Sequence, residues 1–402
     1  MVQKLVIILA GLVAGAVGVY FLLTQTTLLN FNPNSLTATP TPKVGVKATN
    51  KPTPKPNQKQ VIGFLPFWLL DKAEIDYSRY ITTLNYFSLT IDKDGTIQKY
   101  TNAIEGEPGY FALKTGKADP FLNKAKEKNI SLSLAVFSGD EAVIEEILKD
   151  PVKSADNLVN DVVPIMEEYG FSDLNLDVES VKDATPQTRA NYTQFVKEVK
   201  KGLASHNAGT LTVDASAIAF VKDTNLVDPK AIAESIDYMV LMAYDFHNPG
   251  SYVTGAVAPL SGAGTVSEFD TETAVQSAIK IMPSSKVILG MPLYGYSWET
   301  INNTPRSAIV PGSAIIISTQ KVEEFLKTCT NCESGFDNLD QEEYVIYRDT
   351  DTGTYHQIFY PTSASTGVKV SYAASNRLGG VAVWALGYED SSILGPLAGY
   401  HY

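Results

Sequence analysis

Eight short apolar runs, rich in β-branched residues and separated by longer stretches, constrain the fold of this chain most. They fall at residues 61–65, 81–89, 130–137, 173–178, 211–215, 236–243, 286–293 and 380–384. Between them, residues 119–128, 141–148, 155–169, 186–206 and 271–282 read as amphipathic helices. A strand that lies parallel to its predecessor needs a crossover of about a dozen residues or more, usually a helix. Eight strands with helical crossovers predict an α/β fold, a closed (β/α)8 TIM barrel. A doubly wound open sheet shows the same alternation, but no glycine-rich phosphate loop follows the first run. One interval breaks the rhythm: about 85 residues separate the seventh and eighth runs. Within it, 344–347 and 357–360 read as a β-hairpin, so a small α+β insertion is expected at about 300–370, walling one side of the barrel mouth.

Charge divides the chain again. Residues 1–59 hold no acid and six lysines, so the net charge of −12 splits into +6 there and −18 in the remainder. The uncharged stretch 5–23 would span about 28 Å as a helix, close to the hydrocarbon thickness of a bilayer. No small-residue cleavage site follows Leu23, which favours an uncleaved signal anchor over residues 1–25, with a cleaved signal peptide and a secreted protein as the alternative. Lys4 and the free N-terminus would keep that end inside. The Pro/Thr/Lys-rich segment 26–59 reads as an extended tether, leaving 60–402 as the barrel domain. These readings predict a single-pass membrane protein with its barrel outside the cytoplasm, and a monomer.

The acidic balance counts against nucleic acid as a partner, because phosphate binding rests on clustered lysine and arginine. The four histidines are scattered, and Cys329-Thr330-Asn331-Cys332 has neither a second pair nor a nearby histidine. A local disulfide is expected there, and no metal site or cofactor.

The fourth run carries the chemistry. In Asp173-Leu174-Asn175-Leu176-Asp177-Val178-Glu179, alternation puts Asn175, Asp177 and Glu179 on one face and the aliphatic residues on the other. In a barrel the polar face enters the lumen, where burial and like charges raise a carboxyl pKa and keep a general acid protonated. A solvated, acid-rich strand end is the plainer reading of the same residues.

The run resembles the fourth-strand signature of family 18 glycoside hydrolases, the chitinase superfamily, which reads Asp-Gly-x-Asp-x-Asp-x-Glu. Glu179 matches the terminal proton donor and Asp177 the acid before it, whereas Asn175, Ser172 and Asp173 depart from the pattern. Asparagine at 175 is similar to the spore-cortex and peptidoglycan N-acetylglucosaminidase branch. Met242-Ala243-Tyr244-Asp245 resembles the sixth-strand motif. Gly290-Met291-Pro292-Leu293-Tyr294-Gly295-Tyr296-Ser297-Trp298 resembles the seventh strand and its loop, and Gly379-Gly380-Val381-Ala382-Val383-Trp384 the eighth strand. The third-strand motif survives only as a fragment in Phe137-Ser138-Gly139-Asp140.

The resemblance implies substrate-assisted retaining hydrolysis of β-1,4 linkages beside N-acetylglucosamine, in which the substrate's own acetamido oxygen replaces a second enzyme carboxylate as nucleophile. It implies Glu179 as acid and base, Asp177 orienting the acetamide, Tyr244 bonding the acetamido oxygen, and Met242 and Asp245 lining the subsite. Asn175 could hydrogen-bond Asp177 but cannot take its proton. The three tryptophans, Trp68, Trp298 and Trp384, all fall at or just past the ends of predicted strands 1, 7 and 8, which are neighbours in a closed barrel. Together with Tyr86 and Tyr294 they are expected to stack on sugar rings. The expected partner is a chitin oligosaccharide or a peptidoglycan glycan strand. A catalytically silent chitinase-like lectin is the alternative function, although such proteins typically lose the glutamate retained here.

Overall fold

A computed structural model describes residues 59–400. Seven parallel strands come first: β1 (Gln60–Pro66), β2 (Thr83–Thr90), β3 (Ser131–Ser138), β4 (Asp173–Val178), β5 (Thr210–Ser216), β6 (Tyr238–Met242) and β7 (Val287–Pro292). The chain then makes β8 (Tyr294–Thr300), β9 (Ile315–Ser318), β10 (Glu333–Asp337), β11 (Glu342–Arg348) and β12 (Tyr355–Tyr360) before returning with β13 (Gly380–Trp384). Strands β1 to β7 and β13 close into a barrel in the order β1-β13-β7-β6-β5-β4-β3-β2. The expected (β/α)8 architecture is therefore present.

The crossovers form where the periodicity of the sequence places them. The longest before β4 is the helix Pro151–Tyr169, started by Asp150, whose side chain accepts from Lys153 N, and ended by Gly170 at φ 76°. A proline in the first turn leaves no donor orphaned, and glycine takes the left-handed conformation without strain.

Strand alternation separates two cores. Leu174, Leu176 and Val178 face outward and are buried with Leu158, Val162, Phe195 and Val199 of the covering helices. Each such side chain contributes about 1.5–3 kcal/mol by leaving water. Inside the barrel, Ile62, Phe64, Phe87, Ala135, Val240, Ile288 and Ala382 form a smaller apolar plug. That plug supports the polar residues of β4 at the barrel mouth.

The insertion is larger than the hairpin reading implied. It is a five-stranded antiparallel sheet in the order β10-β11-β12-β8-β9. It begins at Tyr294, with only Leu293 between it and β7, so the segment expected to be a loop is a paired strand. A buried ion pair secures it: Lys369 of the helix Ser363–Ser375 donates to Glu342 of β11 at 2.7 Å. The same carboxylate accepts from Val257 N of the barrel loop after β6 at 3.1 Å. Cys329 and Cys332 form a local disulfide in the insertion.

The single-pass membrane placement does not stand. Among the described residues no helix is long and apolar enough to cross a membrane. The anchor at 1–25, and the tether at 26–59 except Lys59, lie outside the described residues.

Candidate active site

The polar face of β4 meets the polar face of β5 inside the barrel. Register sets Asn175 opposite Ala135 of β3 and opposite Thr212 of β5, with Asp177 opposite Phe137. At the base, Asp173 accepts from Ser133 Oγ at 2.6 Å, Thr210 Oγ1 at 2.6 Å and Thr212 Oγ1 at 3.0 Å. Burial pushes its pKa up to about 6 against the pull of these three donors. Ser133 accepts in turn from Asn85 Nδ2 at 2.9 Å, so hydroxyls and amides line the lumen floor under the acids.

One step higher, Asn175 Nδ2 donates to Asp214 Oδ1 of β5 at 2.6 Å. This corrects the expectation that Asn175 pairs with Asp177. Asp177 is 4 % exposed, and its Oδ1 is buried with no hydrogen-bond donor from the protein. Its pKa is pushed well up, first by burial and then by the charges of Glu179 and Asp214.

Glu179 lies one residue beyond β4, where its N–H donates to Ser138 O at 2.9 Å. Glu179 is exposed, unlike Asn175 and Asp177 before it. Desolvation raises its pKa, and the charge of Asp245 adds to the rise. No cation is among the groups acting on Asp173, Asp177, Glu179 or Asp214. Four acids in one lumen without a counter-ion cannot all ionise at low cost, so the cluster retains protons near neutrality.

The opposite wall comes from the end of β6 and the insertion. Met242 closes β6, and Tyr244 and Asp245 follow it. Asp245 adopts φ 60°, a left-handed conformation that aspartate tolerates better than most residues. Its Oδ1 accepts from Tyr294 Oη at 2.6 Å and from Tyr296 Oη at 2.9 Å. The Tyr244 ring lies 6.4 Å from that of Tyr294.

Two of the three tryptophans meet in the mouth. Trp384 sits 4.6 Å from Phe87 and 6.3 Å from Trp68, centroid to centroid, and both tryptophans are partly exposed. Trp298 departs from its expected role. It is 0 % exposed, packed 5.6 Å from Tyr296 and 6.4 Å from Phe359, because β8 pairs into the insertion sheet and turns this ring into its core. Tyr86 is likewise fully buried: its neighbours Asn85 and Phe87 take the lumen face, so its ring enters the helix layer, where Oη donates to Gly109 O at 2.7 Å. Tyr294 is buried too and presents a hydroxyl to Asp245 rather than a ring face to the cleft.

Asp214 was not singled out from the sequence, although the signal was present. Thr210, Thr212, Asp214 and Ser216 alternate with Leu211, Val213 and Ala215, the same period of two that marked β4. Among the described residues no group of three or more His, Cys, Asp or Glu side chains is arranged to hold a metal ion.

Residues 56–389 match the family model described as glycosyl hydrolases family 18. The cortical fragment-lytic enzyme of Bacillus subtilis (strain 168) is 26 % identical over 333 residues, covering 79 % of this chain and 67 % of the relative. A class V chitinase of Arabidopsis thaliana is 27 % identical over 306 residues, covering 70 % and 76 %. The fold is shared with an Ostrinia furnacalis group IV chitinase solved with allosamidin, at TM-score 0.71 and 20 % identity, covering 85 % of this chain and 97 % of that one. The Bacillus megaterium spore cortex-lytic enzyme SleL is similar at TM-score 0.65 and 22 % identity, covering 87 % and 76 %.

Proposed function

Because the chain belongs to glycosyl hydrolase family 18, we propose that Glu179 is the acid and base of a retaining, substrate-assisted hydrolysis. The protein is a glycoside hydrolase acting on glycans that contain N-acetylglucosamine. What remains is how its own residues would divide the work. The carrying observation is the pairing of an open, raised-pKa carboxyl at Glu179 with a buried, donor-less oxygen at Asp177.

In the first step the Glu179 proton passes to the glycosidic oxygen, and the bond from that oxygen to the anomeric carbon breaks. The substrate's acetamido oxygen forms the replacing bond on the opposite face, giving an oxazolinium-like ring. Asp177 Oδ1, which has no protein donor, accepts the acetamide N–H and orients the group as the ring closes. Tyr244 donates to the acetamido oxygen and holds it in line. In the second step water adds to the anomeric carbon and the ring opens. The Glu179 carboxylate takes the water's proton, so the acid is regenerated with configuration retained.

Trp384 and Trp68 form the floor on which a sugar ring would stack, and the insertion sheet, through Tyr294 and Tyr296, fixes Asp245 at the rim. Residues 60–402 make up the catalytic unit. Of the two candidate polymers, peptidoglycan glycan is favoured over chitin. Asn175 supports that choice, as does likeness to an enzyme named for lysing cortical fragments. Mass spectrometry of products from chitin hexamer and from purified peptidoglycan, run side by side, tests it. Muropeptide-derived fragments released faster than chitin oligosaccharides are expected; release from chitin alone would reverse the assignment, and binding without hydrolysis of either would restore the lectin alternative.

A further inference from the structure

We propose that Asp214 is a positioning residue of this site, a third carboxyl whose charge, fixed in place by Asn175, keeps protons on the Asp177 and Glu179 pair. The proposal rests on the assignment of Glu179 and Asp177 as the reacting acids and deepens it.

Asn175 ties Asp214 to β4 at 2.6 Å, and both side chains are at most 4 % exposed. An amide can donate to a carboxylate but cannot exchange a proton with it, so the link fixes position without draining charge. The Asn175 Oδ1 points to no donor, as does Asp177 Oδ1 above it. Of the two aspartates, Asp214 therefore has a donor that favours its ionised form, and Asp177 has none. Asp177 gains more by staying neutral in the resting site, and its neighbour's charge enforces that.

The titratable groups facing Asp214 are few. Asp173 and Glu179 come from β4 and its end, and Asp177 lies between them. Tyr192 of the helix Pro186–Ser205 and Tyr244 after β6 complete the set, and Tyr192 Oη is buried without a partner. On β6 the residue opposite Asp214 is Val240, which carries no charge. None of these groups is a cation, and burial pushes the pKa of Asp214 itself well up. The Asn175 donor opposes that rise and has no counterpart at Asp177, so Asp214 ionises ahead of Asp177 and its field then reaches the reacting acids through a medium of low polarity.

Asp214→Asn keeps the shape and the acceptor for Asn175 while deleting the charge. Removing a negative neighbour favours ionisation of Asp177 and Glu179, so both limbs of the kcat pH profile should move to lower pH. A carboxyl returned to β4 in Asn175→Asp with Asp214→Asn should move them back up. A purely structural Asp214 would lower the melting temperature and the height of the profile with both limbs unmoved, and that result overturns the proposal. So does a double variant whose limbs stay with those of Asp214→Asn. Should either variant fail to fold, ¹³Cγ-aspartate NMR of the unsubstituted enzyme decides instead. Linked two-step titration of the Asp177 and Asp214 signals supports the coupling. Independent single-step curves refute it. This titration needs no glycan, so it is read separately from any failure of Glu179 as the acid.

Discussion

Residues that share a type need not share a task, and the tryptophans make the point most sharply. Trp384 and Trp68 stand in the mouth against Phe87, whereas Trp298 fills the insertion core. Trp384→Ala is therefore expected to weaken glycan affinity by about two- to tenfold, the ~0.5–1.5 kcal/mol of an aromatic stack, with a smaller loss of melting temperature than Trp298→Ala. Trp298→Ala should do the reverse, destabilising the fold by about 3–5 kcal/mol with the affinity of the folded fraction retained. Isothermal calorimetry and thermal unfolding of both variants check the pair; exchanged phenotypes would contradict this placement. At this scale the acids of β4 were legible because period-two alternation fixes a face. The tryptophans were not, since the order of residues along a strand does not reveal which sheet will adopt it. Tyr86 failed for a related reason: its face depends on the phase of β2 against the lumen, which Asn85 and Phe87 claim.

Strands and helices were read more faithfully than single side chains. All eight barrel strands lie where the apolar runs fall, with β4 and β13 matching residue for residue, because parallel strands buried on both sides need long β-branched runs. The start of the insertion was harder to see. β8 continues directly from β7 with equally strand-like residues, and only pairing with β12 reveals that it has left the barrel. How the insertion is held was not visible at all, since Glu342 and Lys369 are separated by secondary structure and meet only in the fold. Lys369 is 2 % exposed and Glu342 0 %, so removing one partner strands a charge in the interior. Lys369→Met is expected to cost about 3–5 kcal/mol in urea unfolding. It should also loosen the loop at Val257, to which Glu342 bonds. A loss below about 1 kcal/mol would mean the pair does not clamp the insertion to the barrel.

Across the whole molecule the buried acids act in one direction. Burial raises the pKa of Asp173 to about 6 and of Asp340 to about 6, and it raises Glu107, Glu343 and Glu389 as well. An acid with a raised folded pKa stabilises the fold fully below its unfolded value near 4, and that contribution is lost as pH rises through the folded value. The acids with lowered pKa include Asp76, Asp94 and Glu127, which are exposed and screened by solvent, so they offset little. The −18 carried beyond residue 59 works the same way, since self-repulsion grows as the remaining protons leave. Melting temperature should therefore be higher near pH 5 than near pH 8, with Asp173 and Asp340 contributing their steepest decline between pH 4 and pH 6; a maximum at pH 8 would contradict the buried-acid account. The same acidity suits an uncharged, acetylated sugar in the cleft.

The central claim is that Glu179 performs the chemistry from the end of β4. Glu179→Gln keeps the size and hydrogen-bonding reach of the side chain while removing its ability to give and take a proton. The measurement is release of reducing ends from N-acetylglucosamine glycans by this variant, alongside its glycan affinity. Hydrolysis should fall by about 10²–10⁴-fold, the range for loss of a positioned general acid, with binding retained. Near-normal turnover by the variant would show that another group supplies the proton and would contradict the account.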